Sequence, residues 1–119
     1  MKTELVSYAV RLGMESEAEV WLRVLQQRRA ECVATLDREQ MRYESIFKSQ
    51  HGGRMYLSWF SIQGEGGSPI DSSPFEIDRL HLDYWDRCID RAVSPIAFEH
   101  VVSFAPADVE SAVRVDSAG

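Results

Sequence analysis

Histidine is the side chain whose charge changes closest to neutral pH, and this chain has three, His51, His81 and His100. They are too scattered to mark a metal site, so no metal is expected. The chain also has no phosphate-binding glycine loop, zinc pattern or nucleophile elbow, and nothing in it calls for a cofactor. Any chemistry must come from polar residues set among apolar ones. On a helical wheel of about 100° per residue, His81 falls amid Ile77, Leu80, Tyr84, Trp85, Cys88 and Ala92. In the preceding helical stretch Arg29 falls amid Ala18, Leu22, Leu25, Cys32 and Leu36. Both side chains are expected to point inward. A buried arginine needs a counter-charge, because an unpaired buried charge is very costly, and Glu44 on the following strand is the expected partner.

Two readings of these residues stand side by side. In the first, Arg29 and Glu44 form a structural ion pair and His81 is a core histidine with hydrogen-bonded nitrogens. In the second, Arg29, Glu44 and His81, with Tyr56 and His100, line a pocket between helices and sheet or between two sheets. That pocket would bind a small polar or acidic ligand, and His81 and His100 are the candidates for a general acid or base. His51 is expected to be solvated in a turn, and Trp21, Trp59 and Trp85 to lie in the core or an interface. Cys32 and Cys88 form no C-x-x-C motif. A buried thiol is the first reading for each, a disulfide or a reactive nucleophile the alternative.

Such side chains need elements to hold them. Residues 4–12 alternate with the period of a strand, Val6, Tyr8, Val10 and Leu12 sharing one side, and Gly13 ends it. From Ser16 to Arg38 there is no proline or glycine and the apolar residues recur at three-and-four spacing, which predicts one long amphipathic helix. Met41–Lys48 and Arg54–Gln63, joined through Gly52 and Gly53, predict a hairpin. Its second strand is apolar on both faces and needs cover on both. Residues 64–73 read as a glycine- and serine-rich loop, mobile by composition. Ser73 as N-cap, Pro74 at the first helical position and Glu76 for a capping box predict a helix running to about Ala92. Residues 97–104 alternate as a last strand, with Phe98, His100, Val102 and Phe104 on one side. Residues 107–119 form a tail, with DVESAVRV as a half-turn or strand and 116–119 frayed.

This order predicts a single α+β domain over residues 1–119, of ferredoxin-like βαββαβ type: an antiparallel sheet with two helices on one face. The uncovered face predicts a homodimer whose sheets face each other. The segments RRAECVATL, YESIF, the glycine hairpin into MYLSWF, and PFEIDRLHLDYW span most of residues 5–104. They resemble an uncharacterised bacterial family of short ferredoxin-like domains, related in architecture to the dimeric α+β-barrel proteins. The chain departs from that family in the glycine-rich loop before Pro74. The resemblance implies the fold and a dimeric barrel but no reaction. The functional expectation is therefore a small-molecule-binding or self-associating module. By analogy with the barrel architecture, the alternative is a cofactor-independent enzyme, a sugar mutarotase or epimerase or a monooxygenase, using a pocket histidine as acid or base.

Charge narrows the partners. Nineteen acidic residues against 13 basic ones give a net charge of -6, which repels a phosphate backbone, so no nucleic acid is expected. With 45% hydrophobic and 27% charged residues the composition is ordinary for a globular domain. Apolar runs are only a few residues long and no signal-peptide pattern opens the chain, so neither a membrane span nor export is expected, and the location expected is cytoplasmic.

Overall fold

A computed structural model describes residues 2–70 and 73–113 of the chain. In chain order they form β1 (Lys2–Ala9), α1 (Glu15–Gln27), α2 (Arg29–Glu39), β2 (Met41–His51), β3 (Arg54–Gln63), α3 (Glu76–Cys88), β4 (Ile96–Phe98) and α4 (Ala107–Val113). The result is a small α+β protein with four helices and one four-stranded antiparallel sheet in the order β2-β3-β1-β4. Among the described residues no helix is long and apolar enough to cross a membrane.

The strand period assigns the faces. In β3, Met55, Leu57 and Trp59 point toward the helices, and the register places Tyr8 opposite Leu57 and Val6 opposite Trp59. With Val10, Ala18, Trp21, Cys88 and Ile89 these residues make the core, and Trp21, Leu57, Val10 and Cys88 have no exposed surface. The hairpin turn has positive φ at both Gly52 (57°) and Gly53 (74°), the requirement of a tight turn whose twist matches its strands. On the other face Leu5, Tyr43, Phe47, Phe60 and Phe98 surround a shallow groove with Ser7 at its floor.

Four expectations change. The single helix over 16–38 is two, because the backbone departs from helical geometry at Arg28 (φ -103°, ψ 34°). No proline or glycine signals that break; its visible local feature is the Arg28 guanidinium, which bonds both carboxylate oxygens of Glu31 at 2.6 Å and comes within 3.7 Å of Glu76. The helix expected from Ser73 to about Ala92 begins instead at Glu76, with Phe75 as its cap residue, and ends at Cys88. Ser73 still accepts a hydrogen bond from the Phe75 amide through its Oγ at 3.1 Å, a local turn one step earlier. The last strand stops at Phe98, where its pairing with β1 ends at Leu5 although β1 itself continues to Lys2. Finally, 107–113 is helical rather than a half-turn or strand, and the expected fraying of 116–119 lies outside the described residues.

The loop after β3 is tied down over its first part. The Gly64 amide bonds the Gln40 carbonyl at 2.7 Å and the Ser68 amide bonds the Arg38 carbonyl at 2.9 Å. Gly67 is required there, because a Cβ on it would stand 2.0 Å from the Glu39 carbonyl oxygen. This seating brings Ile70 over the end of α2, where it forms part of a cavity wall.

Candidate functional site

Between the helical layer and the β2 edge of the sheet lies a cavity of about 620 Å³, within the range of small-molecule sites. Helix α1 contributes Leu22 and Leu25, α2 contributes Cys32, Leu36 and Glu39, β2 contributes Glu44 and Ile46, and α3 contributes Ile77, Asp78 and His81. Helical spacing explains the grouping. Asp78, His81 and Trp85 are three and four apart on one stripe of α3, while Thr35 and Glu39 share a stripe of α2. Strand alternation turns Glu44, Ile46 and Lys48 toward the helices, opposite Ser61, Trp59 and Leu57.

His81 is half-buried and held by its neighbour. Trp21 Nε1–H donates to His81 Nδ1 at 3.1 Å, so the neutral ring carries its proton on Nε2. Trp21, Trp59 and Trp85 surround the ring with centroids 5.2, 6.1 and 6.2 Å away. Burial lowers its pKa to about 4 against the opposing pull of Asp78. At neutral pH His81 is therefore uncharged, a donor through Nε2 and a poor general acid.

The carboxyls are the unexpected part. Asp78 is only 6% exposed, and its buried Oδ2 has no hydrogen-bond partner among the described residues. Glu44, on the β2 side of the cavity, is an exposed residue at its mouth. Burial, then Glu39, then Asp78 push its carboxyl up to about 7, and water at the mouth limits that shift. Glu39 is raised by burial and by Asp78, with the Thr35 hydroxyl and Arg38 offsetting part of the effect. Burial and then Glu44 raise the Cys32 thiol, which removes the thiolate a nucleophile would need. Cys32 is half-buried, Cys88 fully buried, and both are free.

Each residue singled out in the sequence has a definite place. His81 and Glu44 line the cavity together. Arg29 also lines it, but as an exposed side chain rather than a buried one, and among the described residues it makes no ion pair with Glu44. The break at Arg28 is the reason, since a wheel drawn through α1 does not continue in phase into α2. Tyr56 lies on the opposite face of the sheet beside His51, ring centroids 5.6 Å apart. His100 is exposed beyond β4 and bonded to Ser103 Oγ at 2.7 Å. Neither joins the cavity. Asp78 and Glu39 were missed, although Asp78, three residues before His81, could have been read off the same wheel. Among the described residues no group of three His, Cys, Asp or Glu could hold a metal ion.

Two opposing titrations give a pH prediction. The folded pKa of His81 lies below its unfolded value of 6.5, so the stability of keeping it neutral is full above about 6.5 and is lost as pH falls toward 4. At about 1.36 kcal/mol per unit, that loss reaches at most about 3 kcal/mol. The folded pKa of Glu44 lies above 4.5, so its contribution is favourable at low pH and is lost as pH rises from 4.5 to about 7. The two slopes oppose each other between 4.5 and 6.5. Thermal melts in half-unit pH steps should therefore show Glu44→Gln gaining stability with rising pH more steeply than the wild type over this window. Superimposable profiles would refute the assignment.

A family model described as a family of unknown function (DUF6176) matches residues 1–111. No curated protein matches the chain, and no solved structure does.

Proposed function

The chain belongs to this family of unknown function, so its function has to come from its own residues, and we propose that it is a small-molecule-binding module whose site is the cavity around Asp78 and His81. The observation that carries the reading is the unpartnered Asp78 Oδ2. A buried polar atom without a partner costs roughly 1–3 kcal/mol, and a ligand that hydrogen-bonds it recovers that cost. Arg29 and Glu44, both at the mouth, belong to the proposed site, whereas Tyr56 and His100 do not.

A thermal-shift screen of sugars, amines, carboxylates and haem against the wild type and Leu36→Trp tests the reading. Leu36 lines the cavity, and the larger tryptophan there narrows it. Compounds that raise the melting temperature of the wild type should shift the variant less. Equal shifts in both, or none in either, would rule the cavity out as a site.

If the chain is an enzyme, the proton carrier in this cavity is Glu44 rather than His81, because its pKa of about 7 stands near working pH. The uncovered sheet face favours a homodimer, and the strand order β2-β3-β1-β4 supports a ferredoxin-like relationship, with the broken first helix and α4 as departures. Two free thiols fit a reducing compartment, and the cytoplasm is the proposed location.

A further inference from the structure

We infer that the cavity takes an organic cation with an apolar body, an amine or amidine, rather than the acidic ligand that an inward arginine would have implied. The inference rests on the binding reading above and supplies its ligand class. Asp78 is 6% exposed with an unbonded buried oxygen, and Glu39 and Glu44 are close enough to Asp78 for each to feel its charge. Neither Asp78 nor Glu44 makes an ion pair among the described residues. An anionic ligand reaching the inner part of this site would meet Asp78 and Glu39 where water screens them poorly, after passing exposed Glu44 at the mouth.

The arginines do not reverse that balance. Arg23, Arg29 and Arg42 all line the cavity, but as exposed side chains, and exposed charges are screened over about 8 Å at physiological salt. Arg42 also has Asp37 at 3.9 Å, and Lys48 is held by Glu19 at 2.7 Å. The innermost charge is therefore Asp78, with half-buried Glu39 beside it, while the exposed arginines and the exposed Glu44 stand at the mouth. The inner carboxyls are too dispersed to chelate a metal ion, whereas an amidine or ammonium can bond one or two of them and be neutralised by the rest. Leu22, Leu25, Leu36, Ile46 and Ile77 offer the ligand's hydrocarbon a dry wall, and His81 Nε2–H adds one neutral donor.

Three probes of similar size separate the possibilities: phenethylamine, phenethyl alcohol and 3-phenylpropionate, titrated calorimetrically into the full chain. The amine should bind at least tenfold more tightly than either of the others. Asp78→Asn and Glu44→Gln should each weaken the amine at least tenfold and leave the alcohol unchanged. Amine affinity should also rise from pH 5 to pH 8, as Glu44 loses its proton. Binding of the acid or the alcohol as tightly as the amine would overturn the cation assignment while leaving the cavity as a site. Silence from all three probes overturns the assignment too, and the Leu36→Trp screen then decides whether the binding reading falls with it.

Discussion

Asp78→Asn is expected to stabilise the protein by about 1–3 kcal/mol, the range set by burying a polar group without a partner, while removing its capacity to bind. Two effects favour the variant and two oppose it. The substitution removes a buried charge with an unpartnered oxygen and relieves its repulsion of Glu39 and Glu44, with the side-chain shape kept. Against this, Asp78 sits in the first turn of α3, where an acidic group gains about 0.3–1 kcal/mol from the helix dipole, and the new amide brings donors that also need partners. The favourable pair outweighs the opposing pair, because the dipole gain is the smallest magnitude involved and a neutral amide costs less to bury than a carboxylate. For a chain of this size 1 kcal/mol corresponds to roughly 3–5 °C in melting temperature. A rise of that order, coupled to lost amine binding, is the mark of a residue kept at the expense of stability. A fall of several degrees would instead identify Asp78 as a structural residue and remove the foundation of the proposed site.

How much of this was legible in the residues follows their physics. Helix α3 was visible because its apolar stripe repeats at helical spacing, and the inward placement of His81 followed directly. The uncovered sheet face was visible because β3 is apolar on both sides. Tyr56 could have been placed correctly from parity alone, since it is one residue out of step with Leu57 and Trp59, which face the helices. Arg29 could not, because its placement depended on an unbroken helix and no residue near 28 is a helix breaker. Asp78 was visible in position but not in meaning. It lies about 60° from His81 on the wheel, yet an acid in a first helical turn reads as an ordinary dipole partner until the structure shows that nothing bonds it. The alternation of Phe98, His100, Val102 and Phe104 was real, but only pairing makes a strand, and pairing is a tertiary property.

Phe47→Glu is expected to convert a dimer into a monomer. On the face away from the helices, β1 presents Leu5, with Ser7 and Ala9 buried behind it, β2 presents Tyr43, Ser45, Phe47 and Ser49, and β3 presents Tyr56, Ser58, Phe60 and Ile62. None of these is charged, although the chain carries a net charge of -6. Two copies can therefore meet there face to face without repulsion, and a two-fold axis matches the patch with itself. Three strands of about eight residues and the three residues of β4, at about 4.8 Å by 3.3 Å per residue, project to about 430 Å², and side-chain relief raises the accessible area above that projection, toward the roughly 800 Å² per partner of a standard interface. Phe47 is 58% exposed, so its replacement should not harm the monomer, whereas a carboxylate there would be buried unpaired in the dimer. The segment after β4 adds a second contribution, with Val101 85% and Phe104 90% exposed. Phe104→Asp should weaken association less than Phe47→Glu, because it lies at the edge of the face. Light scattering after size exclusion should give the wild type at twice 13.6 kDa and Phe47→Glu at that single-chain mass, with the pH-dependent melts of the cavity unchanged. A wild type that stays monomeric at millimolar concentration would refute the dimer.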